Sequence, residues 1–203
     1  MLAVGDCRRA LRRACQQGRA ARGGWVAVAL LAGCQGSLQP AWEPQPIAAS
    51  QSVIRFEHED FDPARSEYRL QHDPRSDNEV HLGQFAGNGV FATLAAYKTG
   101  PSFVIEERST ESYVAHLLGD AQLTWGESGR TATRYGSVPY RMFKIAGQPF
   151  DCVGFGQPRG ESSDDRGRKS DLLFGYFCQS DARPLTAARA TDLIGGLALS
   201  ARR

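Results

Sequence analysis

From Ser52 onward, apolar and polar side chains alternate with period two in short runs broken by turn residues, the pattern of half-buried β-strands. SVIRFE (52–57), EYRLQH (67–72), EVHLGQFA (79–86) and GVFATLAAY (89–97) come first, and Gly87-Asn88-Gly89 supplies the turn between the last two. SFVIEE (102–107) follows Gly100-Pro101. The period then lengthens. Ser109 or Thr110 caps a helix on which Tyr113, Val114, Leu117 and Leu118 share one face, and Gly119 ends it. AQLTW (121–125), RTATRYG (130–136), YRMFKIA (140–146), FDCVGFG (150–156) and LLFGYFC (172–178) resume the strands. In the last of these, Leu172, Phe174 and Tyr176 alternate with Leu173 and Phe177, so both sides are apolar and a central, doubly covered strand is expected.

A final helix starting near Thr186 puts Ala190, Leu193, Ile194 and Leu197 in one stripe. Gly195-Gly196 weakens it by about 1 kcal/mol per glycine relative to alanine, so it needs a sheet to pack across. The expectation is an α+β fold: a largely antiparallel sheet with two helices, the last one C-terminal and packed on the sheet. At 203 residues and 41% hydrophobic, the chain suits one domain with a real core.

Charge changes the picture at the amino terminus. The formal net charge is +2, but Arg8, Arg9, Arg12, Arg13, Arg19 and Arg22 all precede the apolar run Trp25 to Ala32, with Asp6 the one acid among them. Beyond residue 33, 18 basic and 21 acidic side chains remain, six of the 24 basic and one of the 22 acidic residues having been left behind. A mildly acidic domain has no electrostatic reason to seek nucleic acid. Eight apolar residues span only about 12 Å as a helix against roughly 30 Å of hydrocarbon, so the run reads as an export signal and not as a permanent span. Arg8-Arg9 hints at twin-arginine export, but Arg12 and the distance to the apolar run fit that route poorly.

Leu31-Ala32-Gly33-Cys34 resembles the lipobox of bacterial lipoproteins, a large aliphatic and two small residues closing on a cysteine. The resemblance spans residues 8–36. It implies diacylglyceryl transfer to Cys34, cleavage between Gly33 and Cys34, and a membrane anchor through that lipid. Gln35 is not the aspartate that resembles an inner-membrane retention signal, which favours the periplasmic face of the outer membrane, with the outer face of the inner membrane as the alternative. Expected divisions are residues 1–33 as signal peptide, 34–50 as lipidated cysteine and flexible, proline-bearing tether, and 51–203 as one periplasmic domain. Past the signal, this half of the chain resembles only uncharacterised exported proteobacterial domains.

Five cysteines fit that address. Cys7 and Cys15 leave with the signal, Cys34 takes lipid, and Cys152 and Cys178 remain as one pair for an oxidising compartment. Alternation puts Phe150 with Cys152, and Phe174 and Tyr176 with Cys178, so antiparallel pairing would join the two sulfurs at the base of a long hairpin.

Chemistry is sparse elsewhere. Gly160-Glu161-Ser162-Ser163-Asp164 mimics a nucleophile elbow without its closing glycine. It lies in GQPRGESSDDRGRKSD (156–171), a solvated hairpin loop whose Arg159, Asp164, Asp165, Arg166, Arg168 and Lys169 are candidate contacts for a charged partner. Glu57, His58, Glu59, Asp60 and Asp62 form an acidic knot with no H-E-x-x-H or EF-hand spacing, and it reads as a solvated segment holding no metal. No catalytic residue and no cofactor is nominated. The expected function is a lipid-anchored envelope lipoprotein whose non-enzymatic domain binds or scaffolds an envelope protein or a lipid-like molecule. A lipid-anchored periplasmic hydrolase acting on envelope material is the alternative.

Overall fold

The computed structural model describes residues 43–100, 105–160, 169–180 and 182–199. Ten strands form within them: β1 (Gln45–Pro46), β2 (Ile54–Phe56), β3 (Phe61–Asp73), β4 (Asn78–Gly87), β5 (Val90–Lys98), β6 (Leu123–Thr133), β7 (Gly136–Ile145), β8 (Phe150–Arg159), β9 (Asp171–Ser180) and β10 (Leu197–Leu199). Two α-helices accompany them, α1 (Thr110–Leu118) and α2 (Ala187–Gly195). Eight strands make one sheet in the order β1-β3-β4-β5-β9-β8-β7-β6, antiparallel at every junction. The chain is therefore α+β, as its patterning predicts. Two meanders, β3-β4-β5 and β6-β7-β8-β9, meet at the β5·β9 junction, while β2 and β10 pair in a small second sheet.

LLFGYFC becomes β9, fifth of the eight strands and buried without interruption from Leu172 to Gln179. Its two faces serve two layers. Leu173 and Phe177 join Leu94, Val153 and Phe155 under Ala190, Leu193 and Ile194 of α2, with Ile54 and Leu197 completing that core. On the other face Phe174 packs with Tyr113 of α1, and Tyr176 packs with Val114.

Both helices begin where their caps direct. The Ser109 hydroxyl accepts the Ser112 N–H at 3.3 Å, and the Thr186 hydroxyl accepts the Arg189 N–H at 3.2 Å. Gly119 closes α1 with φ of 63°, a left-handed value that glycine adopts without steric cost. FDCVGFG brings α1 close to the sheet. A Cβ on Gly154 would overlap the Val114 side chain and one on Gly156 the Tyr113 ring, so the helix lies directly on bare backbone.

Several expectations are corrected. AQLTW and RTATRYG are not two strands: β6 runs through Gly126–Gly129 and absorbs the irregularity as a bulge between Trp125 and Ser128. Leu197 does not extend the final helix. The chain leaves α2 at Gly195-Gly196, and Leu197 opens β10 opposite Phe56, still buried in the core its helical position was expected to reach. Of SFVIEE, the described residues 105–107 contribute a single bridge, Ile105 to Lys169. The end of the expected tether belongs to the domain, because Gln45 and Pro46 pair with Leu70 and Arg69, and a short 3-10 turn follows at Ala49–Gln51.

Candidate functional site

Cys152 on β8 and Cys178 on β9 stand directly opposite one another, with Cα atoms 4.1 Å apart, and are joined by a disulfide. Both are buried, at 0% and 1% exposure, on the face that carries α1. Val114, Phe143 and Tyr176 enclose the bond. Beyond this sealed centre the apolar surface continues outward. Phe91, Leu117, Leu118, Leu123, Trp125, Ile145 and Phe150 pack against it while remaining partly exposed. Phe91 meets Phe150 edge to face at 5.1 Å between ring centres, and Trp125 tilts against Phe143 at 5.1 Å.

A charged pair borders this apolar rim. Arg141 on β7 lies 5.9 Å from the Trp125 ring centre and forms an ion pair with Glu111 in the first turn of α1. The Glu111 carboxyl is held below its ordinary range, first by a hydrogen bond from its own backbone N–H and then by Arg141. Tyr113, one turn into the same helix, accepts the Arg108 N–H at 2.9 Å, and burial pushes its phenol above the ordinary value.

The acidic knot is not uniformly solvated. Glu57, Glu59 and Asp62 are exposed as expected, but His58 and Asp60 turn inward. His58 Nε2 lies 3.1 Å from Asp192, its Nδ1 accepts the Asp60 N–H at 3.3 Å, and Arg189 reaches both carboxylates, donating to Asp60 and, at 2.5 Å, to Asp192. The hydrogen bond from His58, more than the nearby guanidinium, draws the Asp192 carboxyl below its usual range. Arg189 also donates to the Gln179 side chain on β9 at 3.4 Å. These contacts clamp α2 to the segment between β2 and β3, and the charges are spent on one another. Period-two reading missed the clamp because Arg189 and Asp60 are 129 positions apart. Among the described residues no group of three or more His, Cys, Asp or Glu side chains is placed to hold a metal ion.

Of the candidate loop contacts, Arg159 and Lys169 are described; Asp164, Asp165, Arg166 and Arg168 lie outside the described residues, as do Gly33 and Cys34. Lys169 serves through its backbone, its carbonyl accepting the Ile105 N–H at 2.9 Å. Arg159 ends β8 with its guanidinium 4.1 Å from the centre of the Tyr135 ring. Two open grooves mark the surface. One of about 390 Å³ is lined by Pro46, Ile47, Pro63, Tyr68 and Arg69, and one of about 260 Å³ by Trp125, Met142, Lys144, Asp151 and Leu185. The chain matches no protein-family model, no curated protein and no solved structure.

Proposed function

We propose that this chain is a lipid-anchored envelope lipoprotein whose domain is a non-enzymatic binding module, held by acyl chains on Cys34 at the periplasmic face of the outer membrane. Leu31-Ala32-Gly33-Cys34, set after an arginine-rich segment and a short apolar run, carries the anchoring part of this reading. The Cys34 thiol is the nucleophile that takes the lipid, and two or three long chains, at about 0.8 kcal/mol per buried methylene, hold a protein almost permanently. The partly exposed Phe91, Leu118, Trp125 and Phe150, which pack around one buried cluster, support the binding part, because apolar side chains left partly open near one another are a feature of contact sites for protein or lipid-like molecules. Anchoring adds to such a site without new contacts: confinement to a thin layer raises the effective concentration of the domain toward other envelope components.

Cys34→Ser tests the anchor. A hydroxyl is a far poorer nucleophile than a thiol, so the variant should take up no radiolabelled palmitate and should leave the membrane fraction. Wild-type protein that takes up no palmitate, or a serine variant that still sediments with membranes, would overturn the anchoring.

A further inference from the structure

The hairpin tip between β4 and β5 is Asn88-Gly89, and neither residue contributes to the anchor or to the apolar side chains around the disulfide. Both are exposed, and they form a bend that no turn hydrogen bond closes. Gly89 takes φ of 74°, a left-handed value, and having no Cβ it leaves its backbone nitrogen unshielded beside the Asn88 side chain. Among the described residues nothing accepts from the Gly89 N–H, and nothing hydrogen-bonds the Asn88 side-chain amide. The amide carbon and the nitrogen that can attack it are therefore both free.

The other asparagine of the sequence, Asn78, is the opposite case. Its Oδ1 accepts the Gly100 N–H at 2.8 Å, so its side-chain amide is held in place. The residue that follows is Glu79, whose side chain crowds the nitrogen and whose backbone is fixed opposite Lys98 in the β4–β5 ladder. One asparagine is thus pinned inside a strand, and one is loose at an exposed tip, where covalent change is best tolerated.

We propose that Asn88 is a self-modification site, at which the folded protein converts its own hairpin tip from a neutral amide to a carboxylate with water as co-reactant. The Gly89 nitrogen gives up its proton and attacks the Asn88 side-chain amide carbon. A carbon–nitrogen bond forms, the bond to Nδ2 breaks, and Nδ2 leaves with a proton as ammonia. Water then opens the cyclic imide at either carbonyl, with no change of oxidation state. Opening at the side-chain carbonyl leaves aspartate, and opening at the main-chain carbonyl leaves isoaspartate, with the chain routed through the side chain. The second product adds a methylene to the backbone of the short connection between Gly87 and Val90. It does so beside ties that join three strands, since the Gly89 carbonyl accepts the Ser180 N–H at 2.9 Å and the Gly87 carbonyl accepts from Arg65 at 3.3 Å. The reaction stands apart from the lipid anchor and does not depend on it.

Ageing the purified full-length protein in heavy-oxygen water, with circular dichroism to follow its fold, and then digesting it in ordinary water tests the site. Trypsin releases residues 76–98 as one peptide that holds both asparagines, and tandem mass spectrometry assigns a change to either. The expected product carries heavy oxygen at Asn88, contains more isoaspartate than aspartate, and is labelled by an isoaspartyl methyltransferase, while Asn78 keeps its amide. Its rate should rise from mildly acidic to mildly alkaline buffer, because the attacking nitrogen has to lose its proton. Asn88→Gln changes an exposed side chain and should fold as the wild type does, yet lose the product, since the longer side chain closes a larger and slower ring. An Asn88 that keeps its amide in the folded protein, that reacts no faster than Asn78, or that yields aspartate without isoaspartate overturns the proposal.

Discussion

The most consequential pair of side chains in the domain is Cys152 and Cys178, because their bond joins the two strands that the long hairpin loop separates. At a sequence separation of 26, the chain-entropy account gives the bond about 3 kcal/mol. Cys152→Ala should therefore lower unfolding free energy by about 2–4 kcal/mol in guanidinium titrations, and reductant should destabilise the wild type by a similar amount while leaving the variant unaffected. Equal stability of the oxidised wild type and the variant would remove the disulfide from the account of stability. The remaining Cys178 is 1% exposed under Val114 and Tyr176, so the folded variant should resist thiol reagents until it unfolds. This pairing was legible in the sequence, since period-two alternation assigns each cysteine a face and antiparallel order does the rest. The clamp of His58, Asp60, Arg189 and Asp192 was not, because no local period relates a loop after β2 to a helix near the end of the chain.

At the scale of elements, α1 and its bed of glycines carry the clearest test. Tyr113 is held through its hydroxyl by the segment before the helix, so its ring cannot swing away from a new methyl group on Gly156. Gly156→Ala should cost about 1–3 kcal/mol, as overpacking of a dense core generally does. Gly195→Ala is the counterpart with the opposite sign. No atom lies within 4 Å of its added Cβ, and α2 gains up to about 1 kcal/mol from alanine in place of glycine. Thermal or chemical denaturation of the two variants checks both, and a neutral Gly156→Ala would mean that α1 is free to lift from the sheet. The helix itself was readable from its cap, its four-residue stripe and Gly119. Its seat was not, because a glycine in a strand run signals weakness or close approach equally well until the neighbour is known.

For the whole molecule, the sheet order decides how the parts share stability. β5 and β9 pair over nine positions, Val90 with Gln179 through Lys98 with Asp171, and both layers of core cross this seam. The two meanders should therefore melt together. Far-ultraviolet circular dichroism, which reports the sheet, and near-ultraviolet signals from the aromatic clusters on either face should give one coincident transition, with calorimetric and van 't Hoff enthalpies in agreement. Two separated transitions would show that each meander folds as its own unit. The described residues belong to one compact unit, in keeping with a shared transition.

The sequence by itself determined the long strands of the two meanders in outline, both helices and which of their faces turn inward, because these follow from side-chain period and from caps that act within a few residues of chain. It also determined the central place of β9, since a strand apolar on both sides has to be covered on both sides. Only the tertiary structure decided that β5 and not β8 alone borders β9, that Leu197 leaves its helix to pair with Phe56, and that Arg134 and Arg159 converge on one tyrosine. The physical reason is common to all three. Each depends on contacts between segments far apart in the chain, selected by how whole faces bury one another, and such contacts leave no period in the local sequence.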